Sequence, residues 1–271
     1  MNELLLSLRG LYFTYTVNLV EFCPYIYIYI CMGFSGKNIA MILAAGSGRR
    51  MGLDVPKQFV NVYGKPVVIY TLEAFEHNPL IDSIVVVCID GWQEMLLNYA
   101  GQYKISKLKK VVEGGATVQE SIKKGIDFIA SFADNDDLVV IHDGVRPLVD
   151  DDVLSDVIIK CQKYGNAVSS LPYYEQIFVK ADEISTEKYI QRNSIRRVMT
   201  PQAYKCGKLK KAYDRAFKEN KGIGEASYAN TLMVDLGEKL FFASGSEKNI
   251  KLTTKENLEL FKFFLKSGAG A

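Results

Sequence analysis

Ile39-Ala40-Met41-Ile42-Leu43-Ala44-Ala45-Gly46-Ser47-Gly48-Arg49-Arg50-Met51-Gly52 is the stretch that decides the fold. Its first six residues are an unbroken apolar run of strand length that ends in small residues and glycines. A strand without polar alternation is one covered on both faces, as parallel strands in α/β sheets are. The same pairing of a buried strand with a polar turn recurs at residues 84–89, at 109–113 before Gly114-Gly115, at 138–141 running into His142-Asp143, and at 167–171.

Between these runs the apolar period becomes helical. Residues 70–76 stop at Asn78-Pro79, a second helix starts near Trp92, and residues 121–132 place Ile122, Ile126 and Ile129 on one face. Asp150-Asp151-Asp152 is expected to cap a helix through Cys161, the carboxylates complementing its N-terminus. A helix around residues 209–217, another from Ser227, a strand at 240–243 and a closing helix from about Thr254 complete the alternation. Strand after helix after strand predicts an α/β fold, with a mostly parallel central sheet covered by helices on both faces. Residues 172–197 break the rhythm without a helical period and read as a protruding β-arm.

The 271 residues carry 33 Lys+Arg against 31 Asp+Glu, a formal net charge of +2. That balance offers no basic face for sequence-independent binding, so no nucleic-acid partner is expected. Five scattered cysteines without a CxxC pair argue against a disulfide scaffold and a zinc site, and suit a reducing, cytoplasmic setting. With only His77 and His142, mechanisms needing several imidazoles are excluded.

Residues 1–36 differ in character. Leu4-Leu5-Leu6, Leu11-Tyr12-Phe13 and the run Tyr25-Ile26-Tyr27-Ile28-Tyr29-Ile30 are apolar and aromatic, but Asn18, Glu21 and Pro24 interrupt them. A membrane helix wants about 20 uninterrupted apolar residues, and a signal peptide wants a basic start and a small-residue cleavage site. Three readings stand: an anchor or signal, a structural extension, or an upstream start that is not native, with Met32 as initiator. The expectation is a non-native or disordered extension with no membrane partner, followed by one domain over residues 37–268 that carries the arm at about 172–198.

Ligands of open α/β sheets bind beyond the carboxyl ends of the strands. The turn after residue 44 can bring backbone N–H groups close to phosphate oxygens, with Arg49, Arg50 and Lys57 as cations. It lacks the GK[ST] of a P-loop, and basic residues interrupt a dinucleotide fingerprint. An ordinary glycine-rich turn with surface arginines is the other reading. Asp143, at a strand end, suits Mg²⁺ held through one carboxylate plus phosphates and water, or else caps a turn. His142 reads as packed or hydrogen-bonded rather than as a base, and Lys251 alone would be a solvated lysine. No nucleophile–His–acid set and no glycosidase acid pair is present. Phosphoryl or nucleotidyl transfer, which needs positioning and charge neutralisation, is the chemistry that remains.

Ala44–Met51 with Pro56-Lys57-Gln58 resembles the signature loop of sugar nucleotidyltransferases. With Gly114-Gly115, His142–Pro147, Thr200-Pro201-Gln202 and Asn249-Ile250-Lys251, the chain is similar, over about residues 38–265, to cytidylyltransferases acting on methylerythritol 4-phosphate or ribitol 5-phosphate. The resemblance implies a Rossmann-like nucleotidyltransferase in which Ala44, Ala45, Gly46, Ser47 and Gly48 wrap CTP, while Arg50 and Lys57 neutralise its triphosphate. It places Gly115 and Ser121 by the cytosine, Asp143 on Mg²⁺ and Lys251 on the α-phosphate. Arg146, Glu175, Arg192, Thr200 and Gln202 fall on the acceptor side, and the arm is exchanged in a homodimer. CMP transfer to the sugar-alcohol phosphate would release pyrophosphate and serve isoprenoid precursor or teichoic acid and capsule synthesis. Val118 stands where the family commonly has Arg, Glu175-Gln176 where the methylerythritol enzymes have Asp-Thr, and Gly224 where they have Asp. These departures tilt the acceptor toward ribitol 5-phosphate and leave two further readings: a nucleotide-binding regulator without turnover, and a different base specificity.

Overall fold

The apolar run at residue 39 forms an interior strand, and the sheet extends from it on both sides. The computed structural model describes residues 5–8, 11–14, 36–48, 52, 54–224 and 228–268. The chain divides into two units, Met1–Phe34 and Ser35–Ala271. In the first, β1 (Leu5–Leu8) and β2 (Leu11–Thr14) pair antiparallel.

The second unit opens with β3 (Asn38–Ala44). A 3₁₀ turn at Lys57–Phe59 and the short pair β4 (Asn61–Val62) and β5 (Lys65–Pro66) follow, then α1 (Val67–His77). Next come β6 (Ser83–Cys88), α2 (Gln93–Gln102), β7 (Leu108–Glu113), α3 (Val118–Ala130), β8 (Leu138–Asp143), α4 (Asp151–Tyr164) and β9 (Asn166–Pro172). The arm is a hairpin of β10 (Ile177–Lys180) and β11 (Thr186–Ile190). The chain returns through β12 (Arg196–Lys205), α5 (Cys206–Glu219), α6 (Ala229–Asp235), β13 (Phe242–Ala243) and α7 (Lys255–Lys266).

Seven strands form one sheet in the order β13-β9-β12-β8-β3-β6-β7. All neighbours are parallel except β12, which runs antiparallel to both β8 and β9. From β3 the chain builds outward through β6 and β7, then crosses to place β8 on the other side of β3. The carboxyl ends of β3 and β8 therefore flank the switch point where such sheets bind ligands.

Strand alternation sends Ile39, Met41, Val85, Val87, Val139 and Ile141 into one core. They pack there with Ile122, Ile126 and Ile129 of α3, Leu209 and Tyr213 of α5, and Leu232 and Met233 of α6. The opposite parity, Ala40, Ile42, Ile84, Val86 and Val140, is buried as completely. On that face Phe75 of α1 lies against the His142 ring, with centroids 5.1 Å apart.

Several expectations need correction. The first helix begins at Val67, behind Pro66, rather than at Tyr70, and α4 runs on to Tyr164, where Gly165 ends it in the left-handed region. Asp150 holds the N-cap position but makes no side-chain cap bond; Asp151 and Asp152 supply the charge of the first turn. The last strand is only Phe242–Ala243, and α6 starts at Ala229, with Ser227 outside the described residues. The largest miss is β12, a ten-residue strand in the middle of the sheet. Pro201 argues against a central strand because it removes a ladder donor. The ladder accommodates it at an irregularity in register between Val198 and Gln202.

Gly125 lets α3 approach the sheet. A Cβ there would lie 2.4 Å from Met41 Sδ and 2.8 Å from Val87 Cγ2. Met41 is flexible, but Val87 is branched at Cβ and cannot turn away cheaply. Gly125→Ala is expected to lower unfolding free energy by about 1–3 kcal/mol, the usual cost of overpacking. A denaturant midpoint equal to that of the parent protein would contradict this close contact.

Candidate functional site

At the carboxyl end of β3, the turn is fixed from beneath by Gln58. Its Nε2 donates to Ala44 O at 2.7 Å and to Gly46 O at 3.1 Å, and the side chain is buried. Gly48 has φ +70°, and a Cβ there would sit 2.8 Å from Lys57 N, so the turn folds closely over Lys57. One buried amide and one glycine thus bring Lys57 against this turn. Arg50 lies outside the described residues.

The next turn lies at the carboxyl end of β7. Thr117 caps α3 by accepting from Glu120 N, and Ser121 Oγ accepts from Gly115 N at 3.0 Å while donating to Thr117 O at 2.9 Å. Ser121 is buried. Its hydroxyl therefore holds the shape of the Gly115 turn.

Asp143, the last residue of β8, is the electrostatic centre. Lys251 Nζ donates to its Oδ1 at 3.0 Å, and Arg146 Nε donates to Oδ2 at 2.9 Å. Thr200 Oγ1 accepts from the Asp143 backbone N at 3.2 Å and donates to Oδ2 at 3.3 Å. Burial alone would raise the Asp143 carboxyl, but Lys251 and then Arg146 outweigh it and hold it well below the usual carboxylate range. Arg146 Nη1 also donates to Asn249 O at 2.7 Å, Asn249 Nδ2 donates to Thr200 O at 2.7 Å, and Leu252 N donates to Val145 O at 2.9 Å. The segment before α7 is thereby tied to β8 and β12.

These turns surround one cavity of about 540 Å³. Ala45, Gly46, Ser47, Gly48, Lys57, Gly115, Ser121, Asp143, Thr200, Gln202 and Lys251, all candidates from the sequence, border it. Ala44 and Arg146 do not. Ala44 is buried and contributes its carbonyl to Gln58, and Arg146 turns its guanidinium onto Asp143 and Asn249. Glu175 and Arg192, placed on the acceptor side by resemblance, lie on or beside the arm and do not border the cavity within one chain; Arg192 Nη1 donates to Tyr174 O at 2.8 Å. Gln58 and Tyr228, to which the sequence by itself gives no role, also border the cavity. Among the described bordering residues Asp143 is the only carboxylate, and none is His or Cys.

His142 is fully buried, and its Nε2 pairs with Arg146 O at 3.1 Å, the packed role expected of it. Burial pushes the imidazole down to about 4, so it is neutral near pH 7. The unfolded chain takes up this proton near about pH 6.5, and the folded chain resists until about 4. The unfolded state therefore gains on the folded one as pH falls through that window. The expected loss from this group is on the order of 3 kcal/mol. His142→Asn is expected to flatten the fall in melting temperature across this window; an undiminished fall in the variant would contradict the assignment.

The family model described as IspD, 2-C-methyl-D-erythritol 4-phosphate cytidylyltransferase, matches residues 38–267. A ribitol-5-phosphate cytidylyltransferase of Lacticaseibacillus paracasei is 56% identical over 227 residues, covering 84% of this chain and 97% of that protein. A 2-C-methyl-D-erythritol 4-phosphate cytidylyltransferase of Clostridium acetobutylicum is 34% identical over 238 residues, covering 86% and 99%. Among solved structures, the Francisella tularensis 2-C-methyl-D-erythritol 4-phosphate cytidylyltransferase superposes with a TM-score of 0.70 at 28% identity, over 84% of this chain and 99% of that one. With the glycine turn, Asp143 and Lys251 gathered at the switch point of a matching fold, the chain belongs to the IspD family of cytidylyltransferases.

Proposed function

We propose that the chain transfers the cytidylyl group of CTP to the phosphate of ribitol 5-phosphate and releases pyrophosphate. The reading is carried by the sharing of one cavity by Lys57, Asp143, Lys251 and the turn at Gly46–Gly48. No His or Cys is among the described bordering residues, so no imidazole-activated hydroxyl or thiol lines the cavity there, and a direct transfer is the simplest step. An oxygen of the acceptor phosphate attacks the α-phosphorus in line. The bond from that phosphorus to the oxygen bridging it to the β-phosphate breaks, and pyrophosphate leaves with the electron pair. A phosphate monoester is largely dianionic near pH 7, its second pKa being about 6, and needs no strong base.

Lys251 meets the α-phosphate and Lys57 the triphosphate, each stabilising charge that grows in the transition state. Arg50 keeps the part that the resemblance gives it. Mg²⁺ is commonly held by one or two carboxylates together with substrate phosphates, and Asp143, ionised and the one carboxylate among the described bordering residues, suits such a site. Asp143 would hold it, and when bound the ion neutralises triphosphate charge. The likeness to the Lacticaseibacillus paracasei protein, and Glu175-Gln176 in place of Asp-Thr, support the pentitol acceptor. The product would be an activated pentitol phosphate of the kind consumed by polymer-forming transferases. A nucleotide substrate suits the cytoplasm, and among the described residues no helix is long and apolar enough to cross a membrane.

Purified protein with CTP and Mg²⁺ is expected to release pyrophosphate with ribitol 5-phosphate at a kcat/KM at least about tenfold above that with methylerythritol 4-phosphate. Release with neither acceptor would overturn the reading, and the reverse order would overturn the acceptor. Lys57→Ala and Lys251→Ala are each expected to lower kcat by ~10²-fold or more; an unchanged rate would remove that lysine from the mechanism.

The arm completes the proposal as the contact of a homodimer. Phe178, Val179, Ile184 and Tyr189 are exposed on it; a lone two-stranded hairpin is marginally stable in water, and exposed apolar groups gathered on one would be covered by a partner. Sedimentation is expected to give a dimer, and Phe178→Asp with Tyr189→Asp a monomer. A dimer persisting in the double variant would place the interface elsewhere.

A further inference from the structure

Tyr228 borders the cavity beside Lys251, and no step above uses it. It stands immediately before α6 with its backbone fixed. Its N donates to Thr231 Oγ1 at 2.7 Å, and its carbonyl accepts from Thr231 Oγ1 at 2.9 Å and from Leu232 N at 2.9 Å. Ala229, Leu232 and Met233, which follow, are buried in the main core. The side chain, in contrast, is half exposed and borders the cavity. The ring is therefore held out from a rigid element without being packed away.

Lys251 Nζ lies over this ring, 5.5 Å from its centroid, and 3.0 Å from Asp143 Oδ1. A lysine ammonium on a four-carbon stem has many accessible positions. Here a carboxylate and the negative face of an aromatic ring both attract it, and between them they narrow the choice. The two attractions differ in kind. A carboxylate is an anion that an incoming phosphate must compete with, whereas the ring face is uncharged and only weakly directional. An ammonium resting on the ring can turn from Asp143 toward a phosphate without leaving the aromatic surface.

We infer that Tyr228 is a positioning residue whose ring face keeps the Lys251 ammonium beside the phosphoryl group being transferred. This rests on the cytidylyl-transfer reading, in which Lys251 meets the α-phosphate. The role belongs to the aromatic face, so the hydroxyl is dispensable and an aliphatic side chain of similar bulk is not a substitute.

The test compares Tyr228→Phe, Tyr228→Leu and Tyr228→Ala, with melting temperatures to confirm folding. Tyr228→Phe is expected to keep more than about half of kcat, while Tyr228→Leu and Tyr228→Ala lose roughly three- to tenfold. The KM for the acceptor is expected to change less than about twofold throughout. Turnover in Tyr228→Leu equal to that of the parent, or a loss in Tyr228→Phe as large as in Tyr228→Ala, would overturn the inference. A second readout needs no activity: the ring current should shift the Lys251 ε-methylene protons upfield in the parent and in Tyr228→Phe, and the shift should vanish in Tyr228→Leu. Its absence in the parent would overturn the contact. A parent protein that shows the shift yet turns over no polyol phosphate would overturn the transferase reading alone.

Discussion

The carboxylate of Asp143, shared between Lys251 and Arg146 at the end of β8, is the interaction on which the site depends. Both bonds are charge-assisted, and the pair of cations more than offsets the cost of placing a carboxylate in a largely buried position. The same groups knit distant parts of the chain. Arg146 reaches the Asn249 carbonyl, and the Asn249 amide reaches the Thr200 carbonyl. Removing Asp143 would leave two cations facing each other without an anion, so the carboxylate organises the site even before any ligand enters.

The turns after β3 and β7, which the proposed reading gives to the nucleotide, are built differently. They rely on backbone shape more than on charge. Gln58 holds the turn after β3 through two carbonyls, and Ser121 holds the turn after β7 through one N–H. These buried polar side chains satisfy backbone groups that the turns would otherwise leave unpaired, which keeps both turns in one conformation. Two turns held in shape, with Lys57 on one of them and Lys251 across the cavity, suit the nucleoside triphosphate of the proposed reading.

The central sheet could be read from sequence because parallel strands buried on both faces leave continuous apolar runs, and β3, β6 and β8 are such runs. Their carboxyl ends then located the site, and the family resemblance supplied roles for Lys57, Asp143 and Lys251. β12 was not legible because Pro201 and the alternation of Thr200, Gln202 and Tyr204 mask a strand whose burial comes from its neighbours in space. Gln58 belongs to the signature Pro56-Lys57-Gln58 but carries no role of its own there; only the fold brings it under Ala44 and Gly46. Tyr228 escaped notice for a related reason, since its meaning lies in Lys251, 23 positions further along the sequence. Of the residues that the resemblance puts on the acceptor side, Thr200 and Gln202 border the cavity, whereas Arg146, Glu175 and Arg192 do not within one chain.

The most direct test of this account is the turnover of Asp143→Asn with CTP, Mg²⁺ and ribitol 5-phosphate. Asparagine keeps the size of the side chain and removes its charge, leaving Lys251 and Arg146 without their anion. The account predicts a folded protein whose kcat falls by ~10²-fold or more. A folded Asp143→Asn protein that turns over at the parent rate would contradict it.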